Sequence, residues 1–196
     1  MRHLHVEPLS IDRATARLIA DRTTPEVERF ARVLTWAVDE HLLYALSAVV
    51  WIAARRAGSS PNPRAKRIRA DHLALCVVTA NILPHLAKAV VDQERPDRCE
   101  VHGPRRGIPR SGKAYDAFPS GHAVHVGALA SALSWIYPRH AGLFWTTGGL
   151  LAATRVLILA HWASDVVVGL AAGIAVERLL RPLTRMRLRK ARERVG

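Results

Sequence analysis

Apolar and charged residues alternate in long blocks along this chain. Charged residues concentrate in segments 2–32, 55–71, 92–116 and 177–194, and the segments between them carry almost none. Five apolar stretches result, at residues 42–54, 72–91, 123–137, 143–160 and 162–180. A helix that crosses a bilayer needs about 20 predominantly apolar residues, and basic loops flank such helices. The pattern therefore predicts an all-α polytopic membrane helical bundle with about five transmembrane helices.

The N-terminal arm, residues 1–30, carries a different pattern. Residues 10–21 place apolar side chains at helical spacing and charged ones on the other faces, the apolar set being Ile11, Ala14, Leu18 and Ile19. This predicts a short amphipathic helix that lies on the membrane surface or on the protein itself. Thr24, Pro25 and Glu26 then suit a helix start, and we expect that helix to run to residue 54.

The connecting segments complete one domain over residues 1–196. A basic loop at 55–71 contains the helix-breaking run S-S-P-N-P, and residues 92–120 form the longest irregular region, punctuated by proline and glycine. A loop of that length within a compact domain is usually functional. Residues 181–196 form a basic tail. The first thirty residues contain no continuous apolar run, so we expect no cleavable signal peptide.

The net charge of +13 raises the question of nucleic-acid binding. The arginines flank apolar segments, however, and no aromatic residues are interleaved with them for base stacking. Basic loops at a lipid headgroup surface explain the charge better. We therefore expect membrane lipids, and no nucleic acid, as partners.

The span count brings distant polar residues to one side of the membrane. If each apolar segment crosses the membrane once, four segment ends lie on the same side: the end of the second segment, the start of the third, the end of the fourth and the start of the fifth. That side then receives a set spread over 78 positions of sequence: Lys88, Arg95, Ser120, His122, Arg155, His161 and Asp165. Ionisable groups among apolar spans are costly unless they are paired or used, so this set predicts a functional pocket.

The residue types in this pocket suit an anion. Gly121 opens the third helix, where free backbone N–H groups of the first turn point at a ligand. Lys88, Arg95 and Arg155 supply three cations, which favour phosphate. Arg155 and His161 are six positions apart, and on a continuous helix they would point about 120° apart. We therefore predict a turn between two membrane helices at this place.

His161 and Asp165 lie four residues apart, on one face of the fifth helix if it begins near His161. A carboxylate that binds one ring nitrogen leaves the other as a nucleophile or base. A helix-start carboxylate beside an interfacial histidine is the alternative interpretation of this pair. His85 and His125 are also near the pocket in sequence, and we expect packing or supporting roles for them.

Three motifs occur in order along the chain: K-x6-R-P from Lys88 to Pro96, P-S-G-H from Pro119 to His122, and R-x5-H-x3-D from Arg155 to Asp165. Together they resemble the tripartite signature of the type 2 phosphatidic acid phosphatase (PAP2) family, in its membrane lipid phosphatase branch. The resemblance covers about residues 88–169. Thr154 stands where the family usually has serine, and Ala163 where many members have proline; neither change removes a reacting group.

The resemblance implies a lipid phosphatase that works through a phosphohistidine. His161 would attack phosphorus, Asp165 would orient it, and His122 would protonate the leaving group and later activate water. The implied phosphate-binding residues are Lys88, Arg95, Ser120, Gly121 and Arg155. No cofactor is expected, and no metal, because three cations face the phosphate and no cluster of acids is present to hold magnesium.

Several questions stay open at the level of sequence. The resemblance implies a lipid phosphate monoester or diphosphate as substrate. Polyprenyl diphosphate, a phosphorylated polyprenyl sugar carrier, phosphatidylglycerophosphate and phosphatidic acid are all compatible with it. Basic residues are denser in the loops on the far side, which favours an extracytoplasmic active site in a multi-pass cell-membrane protein. Two alternatives remain. One is a vanadate-dependent haloperoxidase-like oxidoreductase, which is disfavoured because the chain is short and rich in apolar spans. The other is a non-catalytic lipid-phosphate-binding relative, which is disfavoured because both His122 and His161 are present.

Overall fold

The computed structural model describes residues 4–36, 39–56, 62–99 and 113–193. These ranges are mostly helical, as predicted, and hold one small parallel sheet besides the helices. In chain order the elements are β1 Leu4–His5, α1 Ser10–Arg22, α2 Pro25–Thr35, α3 Glu40–Arg56, α4 Pro63–Lys88, β2 Val91–Asp92, α5 Pro96–Cys99, α6 Gly121–Ile136, α7 Ala141–Leu157 and α8 Ala163–Glu193. A short 3-10 helix, Pro138–His140, joins α6 to α7.

The N-terminal predictions are partly confirmed. Helix α1 occupies the predicted amphipathic stretch, and α2 begins at Pro25, where the Thr24 hydroxyl accepts a hydrogen bond from the Val27 N–H at 3.4 Å. The expectation of one helix running to residue 54 is wrong. A new helix, α3, begins at Glu40 because the Asp39 carboxylate accepts the backbone N–H groups of His41 and Leu42. Residues 37–38 lie outside the described ranges.

Helix α4 starts nine residues before the predicted span. The Asn62 side chain accepts the Ala65 N–H at 3.0 Å and Pro63 occupies the first turn, so helix formation begins within the predicted basic loop. The rest of the helix-breaking run, residues 59–61, lies outside the described part of the chain. At the other end of the protein, α8 continues through the predicted basic tail as far as Glu193.

By length and composition, α4 is the one helix within the described ranges that meets the requirement for crossing a membrane. Helices α3, α6 and α7 contain 17, 16 and 17 residues, which is short for a span of about 20 residues. A membrane-type helical bundle is thus supported by one long apolar helix, while the predicted number of spans stays a prediction.

Helix α6 lies at the centre of the bundle and packs against α4, α7 and α8. Its contact with α8 is close because small residues face each other there. A Cβ built at Gly169 of α8 would lie 2.7 Å from the Ser120 carbonyl oxygen and 2.9 Å from the Ala123 Cβ. The absence of a side chain at Gly169 therefore sets how closely the beginnings of α6 and α8 approach.

A buried polar cluster joins α4, α6 and α8 farther along the bundle. The Glu177 carboxylate accepts hydrogen bonds from Ser131 Oγ at 2.7 Å and from Arg181 Nε at 2.8 Å, and its Oε1 lies 3.2 Å from His72 Nε2. Glu177 and His72 are fully buried. His72 precedes Lys88 by 16 residues on α4, which is about 24 Å along a helix. This cluster therefore lies well away from the predicted pocket.

Candidate active site

One cavity of about 250 Å³ lies where α4 and α7 end and α6 begins. Six of the eight predicted site residues line it: Lys88, Arg95, Gly121, His122, Arg155 and His161. Asp39, Asn81, Pro84, His85 and His125 complete its wall. Residues from all three sequence motifs thus meet at one cavity, as the span arrangement predicted.

The predicted turn between Arg155 and His161 is confirmed. Helix α7 ends at Leu157, and the Arg155 carbonyl accepts the N–H groups of both Ala160 and His161, at 3.0 and 3.2 Å. Leu159 adopts a positive φ of 52°, which is costly for a bulky side chain and concentrates local backbone strain at this turn. The turn brings Arg155 and His161 to the same cavity.

His161 is held by a backbone carbonyl. Its Nδ1 lies 2.6 Å from the Ala117 carbonyl oxygen, so Nδ1 carries the proton and donates it there. Nε2 is then the ring nitrogen with a free lone pair. The ring is 2% exposed, and together these contacts determine both its tautomer and its orientation.

The expected hydrogen bond between Asp165 and His161 is not formed. The closest approach, from Asp165 Oδ2 to His161 Nδ1, is 3.9 Å. Asp165 Oδ2 instead accepts the Trp162 backbone N–H at 2.9 Å, just before the first turn of α8. The carboxylate therefore binds the backbone next to His161 and not its ring, and it does not line the cavity.

His161 lies between α7 and α8, and its surroundings lower the pKa of its imidazole well below the ordinary value. Burial of the ring has the largest effect, followed by the nearby positive charges of Arg95, Arg155 and Lys88. The hydrogen bond to Ala117 opposes this shift. At neutral pH the ring is therefore uncharged, which is the form that can attack an electrophile.

Two of the three cations are held in place by one carboxylate. Arg95 Nε donates to Asp116 Oδ1 at 2.8 Å, and Arg95 Nη1 donates to the Ala160 carbonyl at 2.8 Å. Lys88 Nζ lies 3.7 Å from the other oxygen of Asp116. Asp116 therefore orients Arg95 and Lys88 together. The sequence reasoning did not select it, since it lies between the first two motifs.

Arg155 has unused hydrogen-bonding capacity. Its side chain is buried, and its Nε has no hydrogen-bond partner among the described residues; the same holds for Ser120 Oγ. Buried donors are almost always paired in folded proteins. Because Arg155 lines the cavity, an anion bound there would satisfy its guanidinium.

The start of α6 supplies backbone donors to the same place. Gly121 and His122 line the cavity, and their N–H groups belong to the first helical turn, which no intrahelical carbonyl satisfies. Ser120 is placed differently from the prediction. It is fully buried outside the cavity lining, and its backbone N–H already faces the Asp165 carbonyl at 3.3 Å. A Cβ at Gly121 would meet Pro84 only at an ordinary 3.7 Å, so protein packing alone does not demand glycine there.

Besides Asp116, three further contributors to the site escaped the sequence reasoning. The Ala117 carbonyl has no sequence signature, because every residue carries one. Asp39 comes shortly before the first apolar stretch in the sequence, and only the break between α2 and α3 brings it to the cavity. Asp12, which contacts the start of α8, lies more than 150 residues away in sequence.

Comparisons with known proteins agree with this picture. A family model described as the PAP2 superfamily matches residues 70–189. Proteins named lipid A 1-phosphatase from Rhizobium johnstonii and Rhizobium etli are each 38% identical over 103 residues, 52% of this chain. The match covers 42% and 44% of those proteins, so the chain spans less than half the length of the curated relatives it matches.

Solved structures share the fold. The crystal structure of Aquifex aeolicus LpxE superposes with a TM-score of 0.71 at 19% identity, covering 90% of this chain and 98% of the other. A transmembrane PAP2 type phosphatidylglycerolphosphate phosphatase from Bacillus subtilis gives a TM-score of 0.69 at 18% identity, covering 90% and 86%. At these identities the likeness establishes the fold alone.

Proposed function

This chain belongs to the PAP2 superfamily, and on that premise we propose that it is an integral membrane phosphatase that hydrolyses a lipid phosphate monoester or diphosphate through a phosphohistidine intermediate. One observation carries the proposal. A histidine with a free Nε2, a second histidine, three cations and the first turn of a helix all line one cavity of about 250 Å³.

In the first step, the phosphate lies against Lys88, Arg95, Arg155 and the N–H groups that open α6. His161 Nε2 attacks phosphorus, and the bond between phosphorus and the leaving oxygen breaks as His122 donates a proton to that oxygen. The three cations stabilise the charge that remains on the non-bridging phosphate oxygens, which is the main requirement of phosphoryl transfer.

In the second step, water replaces the leaving group. His122, now neutral, accepts a proton from the water as its oxygen attacks phosphorus, and the bond between phosphorus and Nε2 breaks. Inorganic phosphate leaves, and both histidines return to their starting states. Ala117 keeps His161 Nδ1 protonated and hydrogen-bonded throughout, so the ring needs no reorientation between steps.

A lipid substrate is supported by a second cavity. This apolar groove, of about 370 Å³ between α3, α6 and α7, is lined by Leu43, Val126, Leu129, Ala130, Leu133, Leu143, Phe144, Thr147, Gly148 and Leu151. On each of the three elements a groove residue lies four positions from a residue of the first cavity: Leu43 from Asp39, Val126 from His122, and Leu151 from Arg155. Residues four apart share a helix face, so a hydrocarbon tail in the groove would continue from a phosphate in the site.

The same elements support a proposal for the membrane arrangement. We propose five spans, formed by α3, α4, α6, α7 and the first part of α8, with the site at headgroup level. The ends of the bundle opposite the site carry the basic start of α4 and the basic end of α8. This density of arginine and lysine favours a cytoplasmic location for those ends and an extracytoplasmic site.

The test is phosphate release by the purified protein in EDTA from a panel of lipid phosphates. Lipid A leads the panel, because relatives carry the name lipid A 1-phosphatase. Phosphatidylglycerophosphate, phosphatidic acid and polyprenyl diphosphate follow. We expect His161→Ala to abolish release and His122→Ala to reduce it by at least about 100-fold, within the range of general acid–base catalysis.

His140→Ala is the matched control, because His140 is an exposed histidine in the 3-10 helix between α6 and α7, outside the cavity lining. It should retain wild-type rates. A substrate labelled in its phosphate should transfer label to wild type and to His122→Ala as an acid-labile phosphohistidine. It should transfer none to His161→Ala. No release from any lipid by wild type, or full activity in His161→Ala, would refute the proposal.

A further inference from the structure

The N-terminal arm is attached to the loops that carry the site. Strand β1 pairs in parallel with β2, directly after α4: the Leu4 N–H donates to the Val90 carbonyl at 2.8 Å and the Val6 N–H to the Asp92 carbonyl at 2.9 Å. Helix α1 therefore lies on the protein, which was one of the two locations that its amphipathic pattern allowed. Its exposed apolar residues include Ile11 and Leu18.

The buried face of α1 contacts both segments that hold His161. Ala16 packs in one apolar cluster with Leu159 and Trp162, which flank His161 in sequence, and with Ala117, whose carbonyl binds the His161 ring. All four residues are at most 2% exposed. Movement of α1 would therefore disturb the turn before the nucleophile and the carbonyl that orients it.

Asp12 makes the polar part of this contact. It is 1% exposed, and its carboxylate accepts the Ser164 backbone N–H at 2.9 Å, the Ser164 hydroxyl at 2.6 Å and the Leu9 N–H at 3.1 Å. The Ser164 N–H belongs to the first turn of α8, where no intrahelical carbonyl is in reach and where a negative charge is stabilising. Asp12 thus caps two helices at once, its own and α8.

The start of α8 is consequently held by two carboxylates. Asp165 accepts the Trp162 N–H, and Asp12 accepts the N–H two residues later. His161 directly precedes this pair of bonds. Without Asp12 the first turn of α8 would keep one of its two carboxylate partners, and the segment that carries the nucleophile would gain freedom.

We propose that Asp12 is a positioning residue for the phosphoryl-transfer reaction: through Ser164 it holds the first turn of α8, and with it the His161 ring, in line with the bound phosphate. The inference rests on the proposed phosphatase function. Asp12 does not line the cavity, so it acts on the rate of transfer and leaves phosphate binding to the three cations.

The experiment compares Asp12→Ala with Asp21→Ala, which removes an exposed carboxylate from the same helix. We expect Asp12→Ala to lower kcat by about 10- to 100-fold, since a misplacement near 1 Å can cost about that much. The inhibition constant of inorganic phosphate should stay within about twofold of wild type. Asp21→Ala should match wild type in both quantities.

A double-mutant cycle and hydrogen exchange locate the effect. Ser164→Ala removes the hydroxyl partner of Asp12, so its loss in kcat and that of Asp12→Ala should be non-additive. Backbone amides of residues 158–165 should exchange faster in Asp12→Ala, and at the wild-type rate in Asp21→Ala. If Asp12→Ala does not fold, Asp12→Asn keeps the size and one acceptor oxygen, and should show the same pattern with a smaller loss.

Equal kcat in the Asp12 and Asp21 variants would overturn the inference, as would a loss that appears in phosphate affinity with kcat unchanged. A purely structural role would lower the melting temperature and the folded fraction while leaving kcat per folded molecule intact, which also contradicts it. Should wild type release no phosphate at all, the proposed function fails, and hydrogen exchange still decides whether Asp12 holds the loop.

Discussion

Replacing Gly169 by alanine tests whether the close packing of α6 on α8 sets the geometry of the site. The added Cβ would lie 2.7 Å from the Ser120 carbonyl and 2.9 Å from the Ala123 Cβ. Relaxed carbon contacts lie at about 3.5–4.0 Å, so the two helix starts must separate by roughly 1 Å. Ser120 directly precedes α6, so His122 in the first turn would move with it, away from the position of the phosphate in the proposed mechanism.

The expected cost has two parts. Overpacking of this kind destabilises a protein by about 1–3 kcal/mol. A displacement of about 1 Å between reacting groups can reduce the rate by about 100-fold. We therefore expect Gly169→Ala to fold with a lowered melting temperature and to lose about 100-fold in kcat on a lipid phosphate.

Gly149→Ala is the control, because it makes the same chemical change within α7 at a position where a Cβ would meet nothing within 4 Å. Its helix should be slightly more stable, as alanine favours helix over glycine by about 1 kcal/mol. Melting curves in detergent and steady-state phosphate release measure both effects. Wild-type kcat in Gly169→Ala would show that the approach of α6 to α8 does not control the reaction, and would refute the reasoning.

Three further predictions address charge, stability and the lipid tail. Lys88→Met removes a positive charge that lowers the pKa of His161, so that pKa should rise. Because His161 must be uncharged to attack, the acid limb of the kcat/KM–pH profile should then move to higher pH. An unchanged limb would show that the Lys88 charge does not act on His161. Glu177→Ala leaves buried donors without their acceptor and should cost about 3–5 kcal/mol of stability, measured as loss of melting temperature; a loss below about 1 kcal/mol would contradict the role of the polar cluster. Thr147→Trp should fill the apolar groove and displace about two methylenes of a tail, lowering kcat/KM about tenfold for long-tailed but not short-chain substrates. Thr146 is an exposed neighbour outside the groove, and Thr146→Trp should leave kcat/KM unchanged for both long-tailed and short-chain substrates.

Some of the site was available from the sequence because the reacting groups are side chains of distinctive chemistry. Lys88, Arg95, Gly121, His122, Arg155 and His161 were selected by type, spacing and their positions at the ends of apolar segments, and all six line the cavity. The bend between Arg155 and His161 also followed from helix geometry, since one straight helix would have pointed them apart.

Helix boundaries were less accessible, because a few local side chains decide them. Asp39 and Asn62 start α3 and α4 by accepting backbone N–H groups. As a result, α3 begins inside what was predicted as one continuous helix, and α4 begins nine residues before the predicted span. An apolar pattern reports which residues are buried. It does not report where a capping side chain will intercept the backbone.

The roles of the two acidic residues around His161 were decided by the tertiary structure. Sequence spacing placed Asp165 on one face with His161, yet the carboxylate binds the Trp162 backbone, and the Ala117 carbonyl, 44 residues away, orients the ring. Asp12 reaches Ser164 from 152 residues away. Sequence by itself determined which chemical groups this protein brings to the cavity, because composition and helix periodicity are local properties. Only the folded chain decided how those groups are held, because backbone carbonyls and long-range caps have no signature until distant segments meet.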